Sequence, residues 1–262
     1  LPEDVLPSDE LPRFKRYLKN EESLLKKLHR EGGLGREVCR ARAALIDALI
    51  LSLFELAVRI AAKGTDGNPP AMAVVAIGGY GRAELNPHSD IDIQFLCEDR
   101  LLSGSKPDVY LQSVIDTVLY MLWDLGLKIG HSVRRIRDCV DEANKDMQSK
   151  TALIEARLVV GDEVLFSKME KEVHAKCVKP SVEKYISMRI EDQAARRGKF
   201  GGAATLQEPN IKNGCGGLRD YQNLRWMMHF KCGLHFVEDL ETEKQISKAD
   251  AEKLEAAYSF LL

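Results

Sequence analysis

Apolar residues recur at helical spacing through residues 11–63, first in LPRFKRYLKNEESLLKKL and then in VCRARAALIDALILSLFELAVRIA, with the pair Gly32-Gly33 between them. This spacing predicts two helices joined at the glycines, with antiparallel packing as the simplest arrangement. The most apolar stretch, 43–60, carries Asp47, Ser52, Glu55 and Arg59, which at about 100° per residue share one arc. It therefore reads as a core helix with one wet side and not as a membrane span.

After a turn-rich linker at 64–70, the period changes. AMAVVAIGG is a β-branched run closed by paired glycines, which predicts a buried strand and a tight turn. SDIDIQFLC, at 89–97, alternates acid and apolar residues, so Asp90 and Asp92 share one face of a second strand and Ile91 and Ile93 the other. A helix at 109–125 and a third strand in LKIGHSVRRI complete a compact mixed unit. Beyond it the pattern is helical at 138–147, 150–160, 163–177, 181–198, 218–230 and from 248 to the end, with one long non-helical interval at 199–217. No internal repeat is visible.

Composition narrows the class. The chain has 262 residues, 45% hydrophobic and 30% charged, with glycine and proline scattered, which excludes a disordered or low-complexity chain. A net charge of −2 offers no global positive field for a nucleic-acid backbone, and no basic segment interleaved with aromatics supplies a local one. Six widely spaced cysteines, without a CxxC pair or a signal peptide, predict reduced thiols in a cytoplasmic protein and argue against zinc. The chain opens on Leu1 and stops within an apolar helical pattern, which suggests a fragment of something longer.

Candidate chemistry concentrates in GGYGRAELNPHSDIDI, residues 78–93. Carboxylates at i and i+2 on a strand lie about 6–7 Å apart on one face, close enough to share divalent cations. Mg²⁺ is the natural choice, with Mn²⁺ as a substitute, because it is held by one or two carboxylates together with substrate phosphates. Gly78 and Gly79 leave backbone N–H groups uncovered for a triphosphate, and Arg82 adds a permanent positive charge. Taken singly, an acid pair is most often an exposed polar face and a glycine pair most often a turn.

The combination of strand, GG, a ten-residue gap and DIDI resembles the signature of the polymerase-beta-like nucleotidyltransferase superfamily. More narrowly, it resembles the catalytic segment of bacterial PII-protein uridylyltransferases. LWDLGLKIGHSVR (122–134), ALIEARLVVGDEVLF (152–166) and EPNIKNGCGGLRDYQNLRWM (208–227) fit the same family in the same order. The resemblance implies an α+β fold: a small mixed-sheet nucleotidyltransferase core at 67–176, with helical regions at 1–66 and 177–262. It implies that Gly78, Gly79, Arg82 and Ser89 form the phosphate-cradling turn and that Asp90 and Asp92 bind the metals. The implied reaction is in-line attack by a tyrosine hydroxyl of the PII protein on the α-phosphorus of UTP, with release of pyrophosphate.

Departures from the pattern define further candidates. Where the superfamily often carries a third carboxylate on the next strand, this chain has Lys128, Gly130, His131 and Ser132. His131 is a candidate for facing the nucleotide or carrying a proton, and Glu155 for substituting the missing acid. Arg157 needs an anionic partner, either a phosphate or a salt bridge to Asp162 or Glu155. Glycines at 214, 216 and 217 lead to a helix start near Leu218, whose free N–H groups, flanked by Lys212 and Arg219, make a candidate nucleotide or acceptor contact. Cys215 stands where the family usually has proline, without a neighbouring base to activate it. No HD phosphohydrolase or ACT segment is present in the sequence. Three rivals remain. The glutamine-synthetase adenylyltransferase usually has GGREL in place of GGYGRAEL. The others are a nucleotidyltransferase of unassigned substrate and a catalytically silent regulatory module that binds nucleotide or a partner.

Overall fold

The computed structural model describes residues 7–63, 69–104, 108–202 and 207–262. Most of the linker read at 64–70 lies outside the described residues. The chain divides into two compact units, residues 1–33 with 37–173 and residues 34–36 with 174–262.

The first unit begins with α1 (Pro7–Arg30) and α2 (Gly35–Ala62), separated at the Gly32-Gly33 break as the pattern predicts. Four strands follow: β1 (Met72–Ala76), β2 (Ile91–Cys97), β3 (Ile129–Arg134) and β4 (Arg157–Gly161). Between them run the single turn α3 (Gly78–Gly81), α4 (Val109–Asp124), α5 (Ile136–Lys145) and α6 (Met147–Ile154), and α7 (Glu163–Val173) closes the unit. The strand order is β3-β2-β1-β4, with β1 antiparallel to both neighbours and β2 parallel to β3. One face of the sheet, Met72, Val74 and Ala76 with Ile91, Ile93, Phe95 and Cys97, packs into a core with α2 and α4. On the other face Gln94 lies beneath α5, its Nε2 donating to Cys139 Sγ at 3.2 Å.

The expected helix at 150–160 is corrected. It ends at Ile154, and Arg157–Gly161 is an edge strand, with Leu158 opposite Val75 of β1. ALIEARLVV contains no glycine or proline to mark the break, so the run reads as one continuous helix, and pairing with β1 overrides that reading.

In the second unit, after irregular turns at His174–Ser181, come α8 (Val182–Phe200), α9 (Leu218–Cys232), α10 (Val237–Thr242) and α11 (Lys248–Leu261). The six residues of α10 were not foreseen in the sequence. Stacked aromatics hold the unit: Tyr185 lies on Phe230 at 3.6 Å and the half-buried Tyr221 on Tyr258 at 3.8 Å. The Arg189 guanidinium caps the Trp226 ring at 4.4 Å and donates from Nε to the Tyr185 hydroxyl at 3.1 Å.

All six cysteines are free thiols, and burial pushes Cys39 and Cys139 up to about 11 and Cys97 to about 12. Cys39, Cys97 and Cys139 are therefore inert as nucleophiles at neutral pH. Among the described residues, no helix is long and apolar enough to cross a membrane.

Candidate active site

β2 is buried at six of its seven positions, and the exception is Asp92. Asp90, immediately before the strand, is likewise exposed, and Ile91 between them is 1% exposed. The alternation read from DIDI therefore survives at the start of an otherwise buried strand, where water reaches the acid. The Ile77 N–H donates to the Asp92 carbonyl at 3.1 Å, which fastens the residue before the glycine turn to the acid strand.

The surroundings of the Asp92 carboxylate leave it room. Gly130 of β3 is its partner in register, and a Cβ there would lie 2.3 Å from Asp92 Oδ1; a Cβ at Gly78 would lie 3.9 Å from Oδ2. The missing third acid thus has a local reason, since the position on β3 that faces Asp92 is filled by the carboxylate itself. Among the described residues no three His, Cys, Asp or Glu side chains converge as a complete metal site. Two exposed, hard oxygen donors beside side-chain-free backbone fit a divalent cation whose remaining ligands are water and phosphate.

The turn that follows β1 is built from left-handed backbone. Gly78 has φ +60° and Ala83, without a glycine's freedom, has φ 56°. Backbone of this kind persists where its surroundings over-determine it. Here the Arg82 N–H donates to Gly78 O at 3.1 Å and the Glu84 N–H to Gly79 O at 2.9 Å. Arg82 itself is clasped between two carboxylates, Nε to Glu84 and Nη1 to Glu155, both at 2.7 Å, with all three side chains close to a tenth exposed. Its Nη2 edge lies 3.7 Å from where a Cβ at Gly79 would be, so the guanidinium sits at the mouth of the turn. Ser89 is exposed in the loop that leads to Asp90, its N–H donating to Asn86 O at 3.0 Å.

Gly81 is the tightest point. A Cβ there would stand 2.1 Å from the Glu155 carbonyl oxygen and 3.0 Å from that of Ala76, both backbone atoms that cannot swing aside. Gly81→Ala is expected to destabilise the unit by roughly 2–3 kcal/mol. The corresponding fall in Tm is about 5–10 °C, which a thermal melt would register. An unchanged midpoint would show that the turn can open around the methyl group.

The remaining candidates are dispersed. His131 pairs in register with Ile93 and therefore occupies the face opposite Asp92, its ring 6.0 Å from Trp123 in an edge-on contact. Glu155 caps α6 and turns its carboxylate to Arg82. Arg157, on a strand and not a helix, finds its anion in neither Asp162 nor Glu155 but in Asp47 of α2, with contacts of 2.9 and 3.0 Å. In the second unit, Lys212 is exposed and Arg219 lies over the Trp226 ring at 5.1 Å. The first N–H groups of α9 are not free, Leu218 donating to Ile211 O and Arg219 to Lys212 O, both at 2.9 Å, while Asp220 accepts from the Gly216 N–H at 3.0 Å and from Arg196 at 3.2 Å. Those contacts keep the Asp220 carboxyl below its ordinary range against the opposing effect of burial.

Asp47, Tyr80, Glu84 and the placement of Gly130 escaped the sequence reading. The signal for the first two was an acid interrupting an apolar helix and an aromatic inside a glycine turn.

A small mixed sheet with an acid-bearing strand tied to a glycine turn, preceded and followed by helices, defines an α+β nucleotidyltransferase-like fold. Known proteins narrow it further. The family described as GlnD PII-uridylyltransferase matches residues 184–262, and that described as Glutamate-ammonia ligase adenylyltransferase matches residues 5–114. Bifunctional uridylyltransferase/uridylyl-removing enzymes align with most of the chain. That of Cereibacter sphaeroides is 34% identical over 227 residues, 86% of this chain and 24% of the relative. That of Azospirillum brasilense is 34% identical over 230 residues, 87% and 24%, and that of Novosphingobium aromaticivorans 32% over 234 residues, 89% and 25%. The chain is a relative of the bifunctional uridylyltransferase/uridylyl-removing enzymes and spans about a quarter of their length.

Proposed function

We propose that this chain carries the transferase chemistry of that family, moving UMP from UTP to a tyrosine hydroxyl of a PII signalling protein in the cytoplasm and releasing pyrophosphate. The observation that carries the reading is the exposed pair Asp90 and Asp92 beside the glycine turn, joined to it by the bond from Ile77 N–H to Asp92 O. The names of these relatives support the base, and the family description GlnD PII-uridylyltransferase supports the acceptor.

In this reading Asp90 and Asp92 hold Mg²⁺, with Mn²⁺ able to replace it. The metal would lower the cost of deprotonating the attacking tyrosine and of charge build-up on the departing phosphates. The chain's own part is positioning. The amides of Gly78 and Gly79 approach the phosphates without a Cβ in the way, and the Arg82 guanidinium stands beside Gly79. Its two glutamate partners hold the guanidinium in one orientation and offset its charge, so what it offers the phosphates is oriented N–H donors. Ser89, exposed ahead of Asp90, adds a hydroxyl on the same loop. Arg157 acts from behind the turn. Lys212 and Arg219 belong to the second unit and have no part in this site.

The experiment is transfer from labelled UTP with Mg²⁺ onto purified PII protein, with ATP in parallel. Label on PII from UTP and not from ATP is the expected result. Label from ATP alone would favour the adenylyltransferase reading. Mg²⁺-dependent nucleotide binding without transfer would mean another acceptor.

A further inference from the structure

The glycine turn contains one large side chain, Tyr80, and the structure buries it to 1% exposure. Its hydroxyl donates to Asp47 Oδ1 at 2.6 Å. Asp47 also accepts both Nη groups of Arg157, at 2.9 and 3.0 Å. Arg157 Nη2 in turn donates to the carbonyl oxygen of Tyr80 at 3.3 Å, and the guanidinium stands 5.4 Å from the Tyr80 ring centroid. The four contacts form a closed circuit that starts and ends on one residue of the turn. It draws on α2, α3 and β4, with Asp47 separated by 33 residues from Tyr80 and by 110 from Arg157.

We propose that Asp47 is a positioning residue of the transfer site, acting through Tyr80 to hold the Gly78–Gly81 turn in the conformation that receives the nucleotide phosphates, with Arg157 holding Asp47. The proposal rests on the transferase reading above and assigns α2 a part in it.

The alternatives for these groups are poorer. The Tyr80 hydroxyl stays a neutral donor, because burial and the neighbouring Asp47 both push its pKa up, so it does not act as an acid or nucleophile. Asp47 sits on the helix that packs against the opposite face of the sheet from Asp92, and its two oxygens are already taken by one hydroxyl and one guanidinium. What the circuit controls is backbone. It fixes both the side chain and the carbonyl of Tyr80, the residue between Gly79 and Gly81, in a turn bounded by the left-handed Gly78 and Ala83. Backbone amides stabilise transferred phosphates only when they are aimed before the reaction begins.

Tyr80→Phe removes one oxygen atom, and Asp47→Asn keeps a side chain of the same shape. The test is hydrogen exchange by mass spectrometry on the chain, comparing residues 77–84 with β1 and β2, alongside steady-state transfer. In both variants exchange within 77–84 is expected to rise about tenfold or more, the scale of one lost hydrogen bond to a charged group. Exchange in β1 and β2 stays at the wild-type rate. KM for UTP rises and kcat falls while KM for PII is unchanged, and the double variant is no worse than the poorer single one.

Wild-type exchange at 77–84 in both variants would overturn the proposal. So would acceleration spread evenly over β1 and β2, which marks general destabilisation and not loss of turn geometry. If the wild-type chain transfers no UMP at all, the transferase reading fails by itself, and the exchange comparison still decides whether Asp47 and Tyr80 hold the turn.

Discussion

Asp92→Asn is expected to reduce UMP transfer by about a thousandfold while leaving the fold unchanged. Loss of several kcal/mol of charge stabilisation at a metal site, about 4 kcal/mol, corresponds to that factor. Asn keeps the shape of the side chain but offers a neutral oxygen in place of a charged one, so the defect falls on cation binding and not on packing. The structural cost is small because Asp92 is the one exposed residue of β2 and its neighbours Ile91 and Ile93 carry the core contacts. Exposed substitutions of this kind stay within about 0.5 kcal/mol, or roughly 2 °C in Tm. Asp90→Asn should behave in the same way, since it shares the exposure and precedes the strand. Transfer assays at saturating UTP with a Mg²⁺ titration, run beside thermal melts, separate the two effects. Retained transfer in either variant would mean that the metal is held elsewhere.

The contrast between these acids and the basic candidates shows what a sequence can disclose. Asp90 and Asp92 are legible because their geometry is local: period-two alternation puts both on one face, whatever the strand pairs with. The glycine turn is legible for the same reason, as a strand end without Cβ atoms. The role of a guanidinium depends on which anion reaches it first, and that is settled by tertiary contacts. Arg157 meets Asp47 from 110 residues away, and Arg82 meets Glu155 from 73. In a linear reading Asp47 belongs to a wet arc with Ser52, Glu55 and Arg59. In the fold it leaves that arc and takes up Tyr80 and Arg157, its side chain about a third exposed. β4 was hidden for a related reason: the same apolar run serves as helix end or edge strand until β1 is available to pair with it. At the second unit's glycine loop, the helix start that sequence reads as free is already satisfied by loop carbonyls, Leu218 N–H donating to Ile211 O and Arg219 N–H to Lys212 O, both at 2.9 Å.

Gly130→Ala tests the site from the side opposite the turn. A Cβ at this position would come within 2.3 Å of Asp92 Oδ1, a separation real atoms do not adopt, so one of the two must move. The strands are held by their ladder, with Asp92 and Gly130 in register between the pairs Ile91–Ile129 and Ile93–His131. The carboxylate is the far end of an exposed side chain with other staggered χ1 rotamers to move to, and it is the part that yields. Displacement of a catalytic group by about 1 Å costs on the order of a hundredfold in rate. Stability should be unchanged or slightly higher, because alanine in a strand interior avoids the entropy cost of glycine, about 0.5–1 kcal/mol. A variant with wild-type Tm and a hundredfold lower kcat is therefore the expected outcome, the opposite of Gly81→Ala, where the obstructing atoms are backbone and the fold itself gives way. Full activity in Gly130→Ala would show that the Asp92 rotamer is not the one used in transfer, and would move the search for its working partner away from β3.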